Sequence, residues 1–113
     1  IPEMTVVGHN TATIRESLLE EAFELGEKFI TASKEHYDPG IIGPFCLQTC
    51  IDKDMNYSIY DVAPRVGGGT NVHVSVGHPY GNATWRKPMS SGRRIAMELR
   101  RAAEQDRLLE VLT

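Results

Sequence analysis

Apolar residues recur at helical spacing near the beginning and near the end of the chain. In the first stretch, acidic and basic residues occupy the other side of a helix that Thr11 or Thr13 could cap and that ends near His36. The apolar residues on its buried stripe are Leu18, Leu19, Ala22, Phe23, Phe29 and Ile30. In the second, Ser90 or Ser91 could cap a helix whose inward positions are Ile95, Ala96, Leu99, Ala102 and Ala103. The pattern therefore predicts two amphipathic helices, followed by a short turn or helix in DRLLEVL.

Between these helices the pattern changes to β-branched and aromatic residues. IIGPFCLQTCI and NYSIYDVA read as two strands, and the turn-like residues 52–55 between them predict a hairpin. Residues 5–7 predict a further short strand that ends in a turn at Gly8. Residues 71–76 are expected to be extended or a loop, and residues 78–88 irregular. The order of elements predicts an α+β fold, with an antiparallel sheet and flanking helices.

The composition is that of an ordinary globular domain, with 41% hydrophobic and 24% charged residues. We expect residues 1–113 to form a single domain. No apolar run is long enough for a membrane span and no signal-peptide profile is present, which predicts a cytoplasmic protein. The net charge of −3 gives no reason to expect nucleic acid as a partner. The chain starts at Ile1 with what reads as the interior of a fold, so we expect a piece of a longer protein.

The hairpin register can be predicted from its turn. With residues 52–55 as the loop, Cys46 lies opposite Asp61, and Gln48 lies opposite Ile59. Because side chains alternate along a strand, this register assigns to one face Cys46, Gln48, Cys50, Tyr57, Ile59 and Asp61. Gln48 is then diagonal to Asp61, with Cα atoms roughly 7–8 Å apart. The two oxygen-bearing side chains would be within reach of one ion or water molecule.

Asp61 needs an explanation, because a carboxylate within a strand is costly to bury unless it is paired or binds a cation. One interpretation is a salt bridge with Arg65 or another arginine. The other is a hard cation such as Mg²⁺, which takes one or two protein oxygens together with substrate phosphates. The residue types alone leave both interpretations open.

Three glycines, Gly67, Gly68 and Gly69, follow this strand. Glycine permits positive φ and a close approach of the backbone to a ligand, and exposed N–H groups can bind an anion, but a plain turn is equally consistent. The pattern matches neither GxxxxGK[ST] nor GxGxxG. Among the histidines, His9 is the one that we place near a site, and no order of residues typical of a covalent hydrolase is present.

The two cysteines, Cys46 and Cys50, are expected to be buried free thiols, because residues four apart on one strand cannot easily form a disulfide. No His or Cys partners stand at the spacing that a metal site would need.

Several segments in this order, VVGHNTATIRESLLEEAFELGEKF, GIIGPFCLQ, DVAPRVGGGTN, HPY and MSSGRRIAMELRRA, resemble one family. It is the C-terminal region of the archaeal formaminoimidazole-carboxamide ribonucleotide (FAICAR) synthetases, ATP-grasp ligases of purine and IMP biosynthesis. The resemblance covers nearly the whole chain and implies the C-terminal part of an ATP-grasp fold.

The activity that this resemblance implies is the ATP-dependent formylation of aminoimidazole-carboxamide ribonucleotide (AICAR) by formate, through formyl phosphate. Mg²⁺ or Mn²⁺ would bridge the phosphates of ATP, and the implied metal ligands are Gln48 and Asp61. Both positions are commonly glutamate in the family. Since Gln48 brings no charge and Asp61 is one methylene shorter, we expect a lower affinity for the metal.

The resemblance also implies contacts with the nucleotide substrate from His9 or Asn10, between which the alignment does not decide, and from Arg65, Thr70 and Asn71. It assigns no catalytic residue here. Because the ATP-clamping strands and the N-terminal substrate domain are missing, these residues should be inactive alone. The intact ligase is expected to be a homo-oligomer without nucleic-acid or membrane partners. The alternatives are a non-catalytic relative that serves as a nucleotide-binding or interaction module, and a purely structural α+β domain.

Overall fold

Two antiparallel strands and three α-helices make up the described part of the chain, which comprises residues 1–3, 5–73 and 76–112 of a computed structural model. In chain order the elements are α1 (Leu19–His36), β1 (Cys46–Ile51), β2 (Tyr57–Ala63), α2 (Pro79–Trp85) and α3 (Ser91–Glu104). Short 3₁₀ turns occur at Glu16–Leu18, Gly68–His73 and Leu108–Glu110. The α+β order predicted from the sequence is confirmed, with one helix more than expected.

The hairpin register differs from the predicted one. Gln48 lies directly opposite Asp61, and Cys46 lies opposite Ala63. The predicted pairs, Cys46 with Asp61 and Gln48 with Ile59, are therefore wrong. Gln48 and Asp61 nevertheless share a face, as predicted, and they are closer than the diagonal arrangement would have placed them.

Two single-residue insertions explain the difference in register. The loop comprises residues 52–56, one residue more than expected. The Asp52 carboxylate closes it by accepting hydrogen bonds from the Asn56 backbone N–H at 2.9 Å and from Asn56 Nδ2 at 3.1 Å. In β2, Tyr60 is an additional residue between Ile59 and Asp61, and the register shifts there in a β-bulge. Spacing in the sequence does not reveal such a bulge.

Tyr57 and Ile59 consequently belong to the second face of the hairpin, although the predicted register put them on the first. The Tyr57 hydroxyl donates a hydrogen bond to the Leu18 carbonyl oxygen at 3.1 Å. Phe45, just before β1, packs against Phe29 with ring centroids 4.9 Å apart. The second face is thus turned towards α1.

The beginning of the chain does not have the predicted strand. Residues 5–15, all of which the structure describes, form neither strand nor helix, and α1 is preceded only by the 3₁₀ turn at Glu16–Leu18. The proposed caps, Thr11 and Thr13, are therefore wrong. A strand at residues 5–7 would need a partner for its backbone N–H and C=O groups, and the described hairpin does not supply one.

Helix α2 was not predicted from the sequence. His78 caps it, because its Nδ1 accepts a hydrogen bond from the Tyr80 backbone N–H at 3.3 Å, and Pro79 occupies the first turn, where its missing N–H does no harm. Residues 71–76 were expected to be extended or a loop, and residues 71–73 belong to the 3₁₀ turn Gly68–His73, so they are not extended. Val74 and Ser75 lie outside the described residues.

Helix α3 begins where the sequence predicts. The Ser90 hydroxyl accepts a hydrogen bond from the Arg93 backbone N–H at 3.2 Å, as an N-cap residue does. Arg94 and Arg101 both lie over the Trp85 ring, 4.9 and 5.2 Å from its centroid. These cation–π contacts join the end of α2 to α3.

Little of this part of the chain is buried. Among the described residues, the buried apolar side chains are Leu18, Ala63, Met89 and Ala102. Phe23, expected on the buried stripe of α1, is 63% exposed, and Ile95 of α3 is 39% exposed. The accessible surface is 9202 Å², whereas a compact monomer of this mass exposes about 6,200 Å². Large apolar surfaces are therefore open to contact with another segment or chain.

Candidate functional site

The predicted metal ligands, Gln48 and Asp61, are in direct contact. Gln48 Nε2 donates a hydrogen bond to Asp61 Oδ2 at 2.7 Å across the hairpin. Gln48 is half-buried and Asp61 is exposed. The hairpin thus brings one carboxylate and one amide together at a surface that an ion or a substrate can reach.

Arg65 does not neutralise Asp61. Its Nη1 donates to the Val66 carbonyl oxygen at 3.0 Å, and in the described part of the chain Asp61 forms no ion pair with Arg65 or with any other arginine. The salt-bridge interpretation is therefore wrong. Its premise also fails, because the Asp61 carboxylate is exposed and pays no large desolvation penalty.

The three glycines, called here the glycine segment (residues 67–69), lead from the hairpin into the 3₁₀ turn Gly68–His73. None of the three has a positive φ, so this described segment does not use the left-handed conformation that glycine permits. The Thr70 backbone N–H donates to the Gly67 carbonyl oxygen at 3.0 Å, which fixes Thr70 directly after the segment.

Of the predicted substrate contacts, His9 and Thr70 lie beside the glycine segment. The His9 ring is so close that a methyl group added at Gly69 would be 3.4 Å from its Cδ2. Asn10 follows His9, and its Oδ1 accepts a hydrogen bond from the Thr11 N–H at 2.9 Å. Asn71 belongs to the 3₁₀ turn, and its side chain lies outside what the structure describes.

Cys46 connects the Gln48–Asp61 pair to the glycine segment. It lies two residues before Gln48 on the same face of β1, and a methyl group added at Gly67 would be 2.8 Å from Cys46 Sγ. Both cysteines are free thiols, as predicted, but Cys46 is half-buried and Cys50 is exposed, so the expected burial is wrong. The spacing of the residues gave no signal for the contact between Cys46 and Gly67.

A groove of about 730 Å³ lies on the other side of Thr70, and Gln48 and Asp61 are not among the described residues that line it. Its walls include His73, His78 and Trp85. The rings of the two histidines meet edge to face with centroids 4.8 Å apart, and burial, together with the charge of His73, lowers the pKa of His78 below its ordinary value of 6.5. The groove is mostly apolar and was not foreseen from the sequence.

The oxygen atoms at the hairpin suit a hard cation. Carboxylate and amide oxygens are the ligands that Mg²⁺ and Mn²⁺ accept, and Mg²⁺ often takes only one or two of them from the protein. Within the described ranges, no three side chains of the types His, Cys, Asp and Glu cluster closely enough to hold a metal. A cation here would need water or a phosphate ligand in addition to Gln48 and Asp61.

Comparison with known families places this chain in one of them. The family model described as "Domain of unknown function (DUF1297)" matches residues 1–113, and the chain belongs to this family. Among its relatives are proteins named 5-formaminoimidazole-4-carboxamide-1-(beta)-D-ribofuranosyl 5'-monophosphate synthetase. The one from Methanobrevibacter smithii is 39% identical over 99% of this chain and 31% of its own length. The one from Saccharolobus solfataricus is 43% identical over 99% of this chain and 33% of its own length.

A solved structure has the same fold. It is described as the crystal structure of an IMP biosynthesis protein PurP from Thermococcus kodakaraensis, and it matches with a TM-score of 0.82 and 40% identity over 96% of this chain and 35% of that chain. The resemblance and the fold class predicted from the sequence are thereby confirmed. The chain spans about a third of the length of these relatives. No helix within the described residues is long and apolar enough to cross a membrane.

Proposed function

We propose that residues 1–113 are the C-terminal ATP-grasp part of a longer ligase that formylates AICAR with ATP and formate in the biosynthesis of IMP. The names of the relatives support the product, since they are called synthetases of the formylated ribonucleotide. The observation that carries the proposal is the Gln48–Asp61 pair, at the two positions where the family resemblance implies metal ligands. The intact ligase is proposed to be a cytoplasmic homo-oligomer.

In this proposal, Gln48 and Asp61 hold Mg²⁺ or Mn²⁺ through Oε1 and a carboxylate oxygen. When bound, the cation would offset negative charge on the phosphates of ATP. The Gln48 amide presents its nitrogen to Asp61 in the structure. It must turn about its last torsion to direct Oε1 at a cation, and it then loses a hydrogen bond whose net contribution is about 1 kcal/mol. This requirement supports a weaker metal affinity than two glutamates would give.

The nucleotide substrate is proposed to bind beside the glycine segment. His9 or Asn10 would approach it from the N-terminal side, and Thr70 and Asn71 from the 3₁₀ turn. Arg65 is a candidate for its phosphate, because a guanidinium forms strong hydrogen bonds to phosphate oxygens. The support is the proximity of His9 and Thr70 to the segment that also touches the metal-bearing face of the hairpin.

The test uses the full-length protein with ATP, formate, AICAR and Mg²⁺, and detects the formylated ribonucleotide by mass spectrometry. Wild type is expected to form the product. Asp61→Asn keeps the size of the side chain and removes its charge, and it should lower kcat/KM on the order of 100-fold. Asp54→Asn in the exposed hairpin loop is the matched control and should retain full activity.

The outcomes separate the proposals. Absence of the formylated product in wild type would refute the synthetase, and ATP binding without turnover or metal dependence would favour the non-catalytic module. Product formation that Asp61→Asn leaves unchanged would refute the metal assignment alone.

A further inference from the structure

Each residue of the glycine segment lies against a side chain from another part of the chain. At Gly67 an added methyl group would be 2.8 Å from Cys46 Sγ and 3.4 Å from Cys46 Cβ. At Gly68 it would be 3.8 Å from His9 Nε2, and at Gly69 it would be 3.4 Å from His9 Cδ2. The segment is therefore in contact with the hairpin at its first residue and with the N-terminal part of the chain at the next two.

Backbone conformation does not explain the glycines. The described glycines with positive φ are Gly40, Gly43 and Gly77, and the glycine segment is not among them. Other residues could adopt its dihedral angles. A side chain would instead prevent the close approach of the segment to Cys46 and His9. The effect is strongest at Gly67, where the added methyl carbon would be 2.8 Å from Cys46 Sγ, far inside the contact distance of carbon and sulfur.

These contacts join the two halves of the proposed site. Cys46 is on the same face as Gln48 and Asp61, and His9 immediately precedes Asn10. The glycine segment lies between them and continues into Thr70. A displacement of the segment would therefore change the distance between the metal ligands and the groups proposed to bind the nucleotide.

We propose that Cys46 and His9 are positioning residues that hold the glycine segment in place and so set the distance between the metal-ligand pair and the bound ribonucleotide. This inference rests on the proposed function. Cys46 acts as a small apolar side chain whose thiol fills the space that the missing side chain of Gly67 leaves. His9 acts through its ring, which covers Gly68 and Gly69.

The experiment is a double-mutant cycle in the full-length protein. Gly67→Ala pushes the segment away from Cys46, and since a misplacement of about 1 Å can lower a rate by up to about 100-fold, we expect KM for AICAR to rise about tenfold. The KM for formate and the melting temperature should change much less. Cys46→Ala removes Sγ, so the double variant should recover KM to within about threefold of wild type, because residues in contact are energetically coupled.

A second cycle tests His9. Gly69→Val should raise KM for AICAR by a larger factor in wild type than in the His9→Ala background, since there the ring no longer opposes the new side chain. The comparison with the single variant His9→Ala separates this effect from the loss of a contact between His9 and the substrate. Gly8→Ala is the matched control, because an added methyl group there meets nothing within 4 Å, and its KM should equal that of wild type.

Hydrogen exchange over residues 64–73 gives a readout that does not depend on activity. If both cycles show coupling in exchange and in KM, the positioning role holds. Coupling in exchange with an unchanged KM would overturn positioning, and additive effects in both measurements would overturn the contacts themselves. If wild type forms no product, the proposed function fails, together with the positioning role that rests on it, whereas exchange still tests the contacts.

Discussion

Gln48 and Asp61 lie directly opposite each other in the hairpin, with Gln48 Nε2 2.7 Å from Asp61 Oδ2. The amide nitrogen, and not the amide oxygen, faces the carboxylate. The hydrogen bond occupies one carboxylate oxygen and the amide N–H, and a metal ion bound by both side chains would have to compete with it. Two glutamates, which the family resemblance implies at these positions, would instead repel each other until a cation separates them.

The first prediction follows from that competition. Gln48→Glu replaces the hydrogen bond with a second carboxylate, and it should tighten the binding of Mg²⁺ in the presence of ATP by about tenfold, or about 1.4 kcal/mol. Calorimetric titration of the full-length protein measures it. Gln105→Glu makes the same change of charge just after α3 and should leave the affinity unchanged. Equal or weaker binding in Gln48→Glu would contradict metal ligation at this position.

The hairpin also shows what the sequence could predict and what it could not. Gln48 and Asp61 share one face, as predicted, because the additional loop residue and the bulge together shift the register by two residues. A shift by one residue would have put them on opposite faces. The register failed, because the bulge at Tyr60 and the loop closed by Asp52 each add a residue without changing the hydrophobic pattern.

The same limit explains the remaining differences. The cap of α3 could be narrowed to Ser90 or Ser91, because a capping hydroxyl accepts a hydrogen bond from a backbone N–H within its own turn, and the structure selects Ser90. The contacts of the glycine segment with Cys46 and His9 depend on residues at least 20 positions away along the chain, and residue spacing carries no information about them. Phe23 was expected to be buried because it belongs to the apolar stripe of α1, but it is exposed. The stripe shows which face of a helix is apolar and does not show which other element packs against that face.

The second prediction concerns the contact between the hairpin and the start of α1. Tyr57→Phe removes the hydrogen bond to the Leu18 carbonyl oxygen, and it should lower the free energy of local opening by about 1 kcal/mol, or about fivefold in exchange rate. Hydrogen exchange of the full-length protein over residues 16–22 measures this. Tyr60→Phe is the control, since Tyr60 is 65% exposed, and it should have no effect. Identical exchange in Tyr57→Phe and wild type would show that the hydrogen bond contributes nothing.

The third prediction concerns the beginning of α3. Ser90→Ala removes the acceptor for the Arg93 N–H and should destabilise the first turn of the helix by about 1 kcal/mol. Ser91→Ala, one position later, lies inside the helix and should be neutral or slightly stabilising, because alanine has the higher helix propensity. Exchange of the amides of residues 91–95 in the two variants provides the comparison. A larger loss of protection in Ser91→Ala than in Ser90→Ala would refute the assigned cap.

The last prediction concerns the pH dependence of the groove. Burial, and then the charge of His73, lower the pKa of His78 below 6.5, so the folded state favours the neutral imidazole. This contribution to stability is fully present above the unfolded value of 6.5 and is lost as the pH falls through the lowered pKa. Protonation also removes the acceptor at Nδ1 that caps α2, so acidification should lower the protection factor of the Tyr80 amide, which is its intrinsic exchange rate divided by the observed one. In the full-length protein, NMR titration should place the midpoint of His78 below 6.5, and His73→Gln should move it upwards while His36→Gln leaves it unchanged. A midpoint of His78 at or above 6.5, or one that His73→Gln does not move, would show that the contact between the two rings does not control its protonation.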